Sequence, residues 1–204
     1  AARGPEVLLA QHEIATQLSF LVTGAPPDSE LRAAAERSEL HAGAVRRAQA
    51  GRLLRLPETR YQFRRFVVEW LGIDAPSPAT WTFVDRVLVQ HRGSLAAFLT
   101  AGLEPPSRIG ILQDAAFLSA HSRREDSAPV LRGLAVIGRV LCRDVPRPSE
   151  IDREVTFPPA EPGATTRQRF AAHTEDAACA GCHAAMDPVG FSFENFDPQG
   201  QLRT

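Results

Sequence analysis

The chain reads as all-α. Apolar residues recur near a 3.6-residue period through its first half, helix-capping residues stand where those periodic runs begin, and no two neighbouring segments sustain strand-like alternation. Together these predict a helical scaffold with long proline-rich loops and a small helical module at the C-terminal end.

The elements follow in order. Leu8, Ala15, Leu18, Leu21 and Val22 predict a helix over Glu6 to Val22, ended by Gly24-Ala25-Pro26-Pro27. Asp28 is placed to cap the next helix, with Glu30 near its positive end. Thr59 and Gln62 have the spacing of a capping box ahead of Phe63, Phe66, Val67, Trp70 and Leu71, aromatic and aliphatic residues that read as core. Pro76 and Pro78 break the chain, and a further helix is expected from Trp81 to about Ala101. After a proline-rich joint at 104–107, Ile109 to Ala120 and Val130 to Cys142 each read as one helix or an irregular helical segment. Five prolines between Asp144 and Gly163 predict an extended linker. Thr165 with Gln168 gives a second capping box, opening a helix that runs toward Cys179, and Asp187-Pro188-Val189-Gly190 is expected to turn the chain afterwards. The resulting division is a helical scaffold at 1–103, a connecting region at 108–143, a linker at 144–164 and a C-terminal module at 165–204.

Composition narrows the classes of function. All 23 basic residues are arginine, and none is lysine. Up to Arg143 there are 18 arginines against 14 acids, and beyond it 5 against 10, so the C-terminal module is the acidic part. An acidic face could steer a basic partner, although a plain solvated surface with no partner is the preferred reading. No basic cluster with interleaved aromatics argues for nucleic acid. No apolar run approaches the roughly 18–20 residues that span a bilayer; the best candidate, Pro129 to Cys142, is interrupted by Arg132 and Arg139.

The chemistry concentrates in Cys179-Ala180-Gly181-Cys182-His183, a C-x-x-C-H run of the kind that attaches c-type haem. Thiols at that spacing can add to both haem vinyl groups from one helical turn, and the following histidine falls beneath the iron. Two of only three cysteines lie here. Cys179 and Cys182 are therefore the expected covalent attachment points for one haem c, and His183 the proximal ligand. A zinc site would need two further ligands from Cys142 and scattered histidines, and a redox dithiol would need a βαβ setting that is absent. Attachment of this kind takes place outside the cytoplasm, which implies a periplasmic or other extracytoplasmic location and an export signal or anchor removed from, or upstream of, Ala1.

From His173 to Arg203 the sequence runs H-T-E-D-A-A-C-A-G-C-H-A-A-M-D-P-V-G-F-S-F-E-N-F-D-P-Q-G-Q-L-R. It resembles the C-terminal region of the large multi-domain cytochrome-like proteins of planctomycetes and myxobacteria, whose parts are domains of unknown function. Arg108-Ile109-Gly110-Ile111-Leu112 and Ser127-Ala128-Pro129-Val130-Leu131-Arg132-Gly133 resemble the preceding domain. Glu13 to Phe20 and Pro27 to Leu31 resemble the helical domain before that. The resemblance implies an extracytoplasmic haem protein. Relatives continue into a segment carrying another cysteine, to which Cys142 could pair; a buried thiol is the alternative.

The ligand opposite His183 decides what the haem does. Met186 lies three residues on, which puts it on the same helical face as His183 and marks it as haem-edge or core packing. Beyond Met186 the tail holds neither histidine nor methionine. His173 and His121 are the distal candidates, although ten residues of straight helix separate His173 from His183 by about 15 Å, so His173 needs a bend near Glu175, or else it caps the helix or binds a propionate. Asp187, Glu194, Asp197 and Arg203 read as turn-making and ion-pairing residues, and Phe191, Phe193 and Phe196 as packing on haem or core. The expected function is a mono-haem c-type cytochrome that exchanges electrons with a partner protein or larger assembly. The alternatives are a peroxidase-like haem enzyme with an open distal site, and a haem-bearing structural subunit.

Overall fold

A computed structural model describes residues 8–103, 108–145, 163–175 and 177–203. Among the described residues it is all-α apart from one short antiparallel strand pair. The chain divides into two compact units, residues 1–67 and 68–204.

The first unit holds α1 (Gln11–Thr23), α2 (Ser29–Glu36), α3 (Gly43–Leu53) and most of α4 (Pro57–Leu71). Helix α1 starts later than its apolar pattern suggests, because Glu13 Oε2 accepts the Ala10 N–H at 2.7 Å and sets the first turn there. Asp28 caps α2 as expected: its Oδ1 accepts from Leu31 N at 2.9 Å, while Arg52 of α3 grips both its oxygens at 2.6 and 2.9 Å. Ala15, Leu31, Ala34, Ala35, Leu40 and Leu53 form the core between α1, α2 and α3. The expected capping box at Thr59 is corrected. Pro57 already opens α4, its fixed φ suiting the first helical position, and the Thr59 hydroxyl instead donates to Leu53 O at 2.7 Å.

The second unit begins with the end of α4 and continues through α5 (Pro78–His91) and α6 (Leu95–Thr100). Pro78 starts α5 behind the Ser77 cap, and the helix expected to reach Ala101 is broken at Arg92 and Gly93, both at positive φ. Strands β1 (Gly102–Leu103) and β2 (Arg108–Ile109) pair antiparallel, and a 3₁₀ turn (Ile111–Gln113) leads to α7 (Ala115–Ala120). Helix α8 (Pro129–Ala135) widens into a π-turn at Val136–Val140, so both segments expected to be helical or irregular are irregular. Much of the expected linker, 146–162, lies outside the described residues. Beyond it come α9 (Thr166–Arg169), α10 (Ala172–Glu175) and α11 (Ala177–Phe191), with the Thr165–Gln168 capping box formed in both directions.

Two polar devices hold this unit together. The C-terminal carbonyls of α4, which lack partners within the helix, are met from outside: Arg139 donates to Glu69 O and Trp70 O, and His121 Nε2 lies 2.7 Å from Leu71 O. Arg132 of α8, fully buried, donates to Phe193 O and Phe196 O at 3.1 Å, to Asp197 O at 2.6 Å and to Ser122 Oγ at 2.9 Å. Burial draws its guanidinium down to about 10, opposed by nearby Glu194, which leaves it charged at neutral pH. Arg132 thereby fastens the tail that follows α11 onto α8.

Helices α8 and α11 touch backbone to backbone. A Cβ on Gly133 would stand 2.2 Å from Met186 O, and one on Gly190 would stand 1.9 Å from Pro129 O. Only glycine permits this approach. It also explains why α11 runs straight through Asp187-Pro188-Val189-Gly190, where a turn is expected from sequence. Pro188 cannot donate to Ala184 O, but both residues are solvent-exposed, and the buried positions Met186, Asp187 and Gly190 hold the helix on course.

Candidate functional site

The C-x-x-C-H run lies in the first half of α11, not at the C-terminal end of a helix as expected from the chain pattern. Helical spacing puts Cys179, Cys182 and His183 on one face, since positions three and four apart are neighbours. Both thiols are free and partly buried, as is His183. One turn further, the same face carries Met186, which is buried core, and Asp187, which is 1% exposed.

Asp187 is the residue that sequence reasoning misplaced. Its expected role was a turn or an arginine pair; instead its Oδ1 lies 2.9 Å from His183 Nδ1. A carboxylate at that distance accepts the Nδ1–H, which selects one tautomer and leaves the Nε2 lone pair for a ligand on the other side of the ring. The i,i+4 spacing of His183 and Asp187 was the signal for this bond. It is visible only once the helix is known to continue past Pro188.

The His173 and His183 rings lie 4.2 Å apart between centroids, tilted by 55°, so α10 (Ala172–Glu175) and α11 do not continue as one straight helix, which would hold them about 15 Å apart. His173 Nδ1 lies 4.0 Å from Asp187 Oδ2, and each of these two buried atoms lacks a hydrogen bond. Burial first, and then the His183 charge, push His173 below the ordinary imidazole range, with Asp187 opposing. The ligand atoms of His173, His183 and Asp187 all lie within 4.8 Å of one another, a grouping that could hold a metal ion.

The residues suit a covalent haem in part of their arrangement. Two free thiols one turn apart and a histidine with its Nδ1 already engaged by a carboxylate are the donors that such a group takes. His173 does not suit the opposing position in this arrangement. Two imidazoles on either side of one iron, each with a metal–nitrogen bond of about 2.0 Å, need ring centroids about 6 Å apart, and these are at 4.2 Å. His121 is held elsewhere, with Nε2 on Leu71 O and its ring 4.7 Å from Phe117; burial is the main cause that lowers its pKa.

The other tail residues mostly do what was expected. Phe193 and Phe196 are buried, Asp197 Oδ1 accepts from Gln201 N at 2.7 Å in a turn, and Arg203 approaches Glu194 at 3.9 Å. A cleft of about 370 Å³ opens between Thr165, Arg167, Phe191, Glu194 and Arg203, lined by none of the motif residues. Cys142 is an exposed thiol with φ 51°, not a buried one. Among the described residues, no helix is long and apolar enough to cross a membrane.

Two family models each match part of the chain. Residues 108–204 match the family model PSCyt3, described as a protein of unknown function (DUF1588). Residues 9–86 match PSD4, also described as a protein of unknown function (DUF1592). No curated protein and no solved structure matches the chain.

Proposed function

We propose that the chain is an extracytoplasmic mono-haem c-type cytochrome that passes single electrons to or from a protein partner. The observation that carries this is the face of α11. Cys179 and Cys182 stand one turn apart as free thiols, and His183 beside them is held through Nδ1 by a buried carboxylate. When bound, the haem supplies a one-electron couple. The protein's part is to anchor and orient: Cys179 and Cys182 form the thioethers, His183 presents Nε2, and Asp187 fixes the rotation and tautomer of that ring. Buried Met186, Phe193 and Phe196 keep water from the inner side of α11. The absorption spectrum of the reduced, haem-loaded protein with and without carbon monoxide tests the electron-carrier role. The electron-carrier role calls for a low-spin spectrum indifferent to carbon monoxide, with the sixth ligand supplied by another histidine or from outside the chain, and a high-spin, carbon-monoxide-binding spectrum would assign a haem enzyme with an open site instead.

A second reading is favoured by the two orphaned atoms. One nitrogen each of His173 and His183 and an Asp187 oxygen supply two imidazoles and one carboxylate, a donor set that suits a divalent transition metal. Elemental analysis after export and purification separates the two. Iron that stays with the denatured chain as a pigment supports haem, whereas a stoichiometric ion lost on denaturation supports the three-ligand site.

A further inference from the structure

We infer that Asp187 is a positioning residue that sets the electron-donating strength of His183 and thereby the reduction potential of the centre. This rests on the haem reading above and extends it to a residue outside the C-x-x-C-H run. The two side chains share one face of α11 at i,i+4, so the helix itself fixes their separation, and the bond measures 2.9 Å. Asp187 is 1% exposed, and little water competes for its oxygens. A hydrogen bond to a carboxylate in such surroundings is stronger than one in solvent.

The direction of the effect follows from charge. A carboxylate that accepts Nδ1–H draws the proton toward itself and raises electron density on Nε2, the atom left for iron. That added density stabilises the more positive oxidised metal over the reduced one, so the potential falls. The His173 ring closes one side of this pair at 4.2 Å, and its Nδ1 stands 4.0 Å from the second Asp187 oxygen. The arrangement differs from a histidine held by a backbone carbonyl, which withdraws the proton less because it carries no net charge. The effect is relative: it lowers the potential below that of the same centre with a neutral acceptor on Nδ1.

The test is Asp187→Asn on the haem-loaded chain. The amide keeps the size and a weaker acceptor but loses the charge. The reduction equilibrium is expected to move toward the reduced form by about tenfold, which is about 59 mV for a one-electron couple. Asp187→Glu retains the charge and is expected to stay within about threefold of the wild type. D187N that holds covalent haem with an unchanged potential overturns the assignment. If D187N does not fold, ¹⁵N resonances of the wild-type imidazole decide. A slowly exchanging proton on His183 Nδ1 supports the bond, and one that exchanges as freely as on an exposed imidazole refutes it. A wild-type chain without haem fails the reading beneath the proposal, an outcome distinct from failure of Asp187 alone.

Discussion

Replacing Gly190 by alanine drives a methyl group into the Pro129 carbonyl. The added Cβ would lie 1.9 Å from Pro129 O and 2.6 Å from its carbon, whereas ordinary contact starts at 3.4 Å. The obstacle is backbone, so no rotamer change relieves it, and α8 and α11 must part by about 1.5 Å. That movement also opens the second close approach, between Gly133 and Met186 O. Overpacking of this sort costs roughly 1–3 kcal/mol, and two backbone contacts disturbed together put G190A near the top of that range. For a chain of this size each kcal/mol moves Tm by about 2–4 °C, so a fall of about 6–12 °C is expected. Gly181 on the same helix supplies the control, since a Cβ there meets nothing within 4 Å. G181A should raise stability by about 0.5–1 kcal/mol through helix propensity alone. Urea unfolding followed by circular dichroism reads both. The packing argument is refuted if G190A lies within about 0.5 kcal/mol of the wild type, a change that surface substitutions also produce.

Other outcomes follow from the same contacts. Arg132→Met takes the guanidinium from Phe196 O, strips a second donor from Phe193 O and Asp197 O, which keep their backbone N–H partners, and removes the buried charge facing Glu194, so it should cost about 3–5 kcal/mol by urea titration; a loss under about 1 kcal/mol would show that water replaces the guanidinium. His121 has a folded pKa below its ordinary 6.5, so the unfolded chain takes up the proton first as pH falls. Stability should drop below about pH 6.5 and level off beneath the folded value; H121Q should flatten the Tm profile between pH 7 and 5, with His173 retaining part of the slope. An unchanged slope would mean that His121 titrates as it does in the unfolded chain. Asp28→Ala removes the α2 cap and the half-exposed Arg52 pair, for about 1–2 kcal/mol by thermal melts. Because Arg52 holds the Asp28 carboxyl below its usual 3.8, that stability is present above pH 3.8 and is lost as pH falls through the folded value. An equal loss for D28A and wild type on acidification would contradict it.

What could be read from sequence were the features that local chemistry decides. The Asp28 cap and the Thr165–Gln168 box depend on residues a few places apart, and both are found; of the apolar positions expected for α1, Ala15, Leu18 and Val22 join or pack against the core, while Leu8 and Leu21 are exposed. Thr59 shows the limit of that reasoning, since Pro57 two residues earlier satisfied the start of α4 first. The continuation of α11 through Pro188 was hidden because its cause is tertiary. Gly133 and Gly190 let α8 lie against it, and that contact outweighs one lost backbone bond. The same oversight concealed the Asp187 bond to His183. His173 comes into ring contact with His183, as the spacing allowed only if the two did not share one straight helix, and Arg132, read only as an interruption in an apolar run, became the tie between α8 and the tail.

The central claim, that Cys179 and Cys182 carry a covalent haem ligated by His183, is tested most directly by expressing the chain with an export signal in a host that matures c-type cytochromes. The intact mass and haem staining are then read after full denaturation. One haem per chain, retained under denaturing conditions and lost when both Cys179 and Cys182 are replaced by alanine, is the result expected. A colourless, correctly folded and exported chain, or a pigment that stays bound without either thiol, would contradict it.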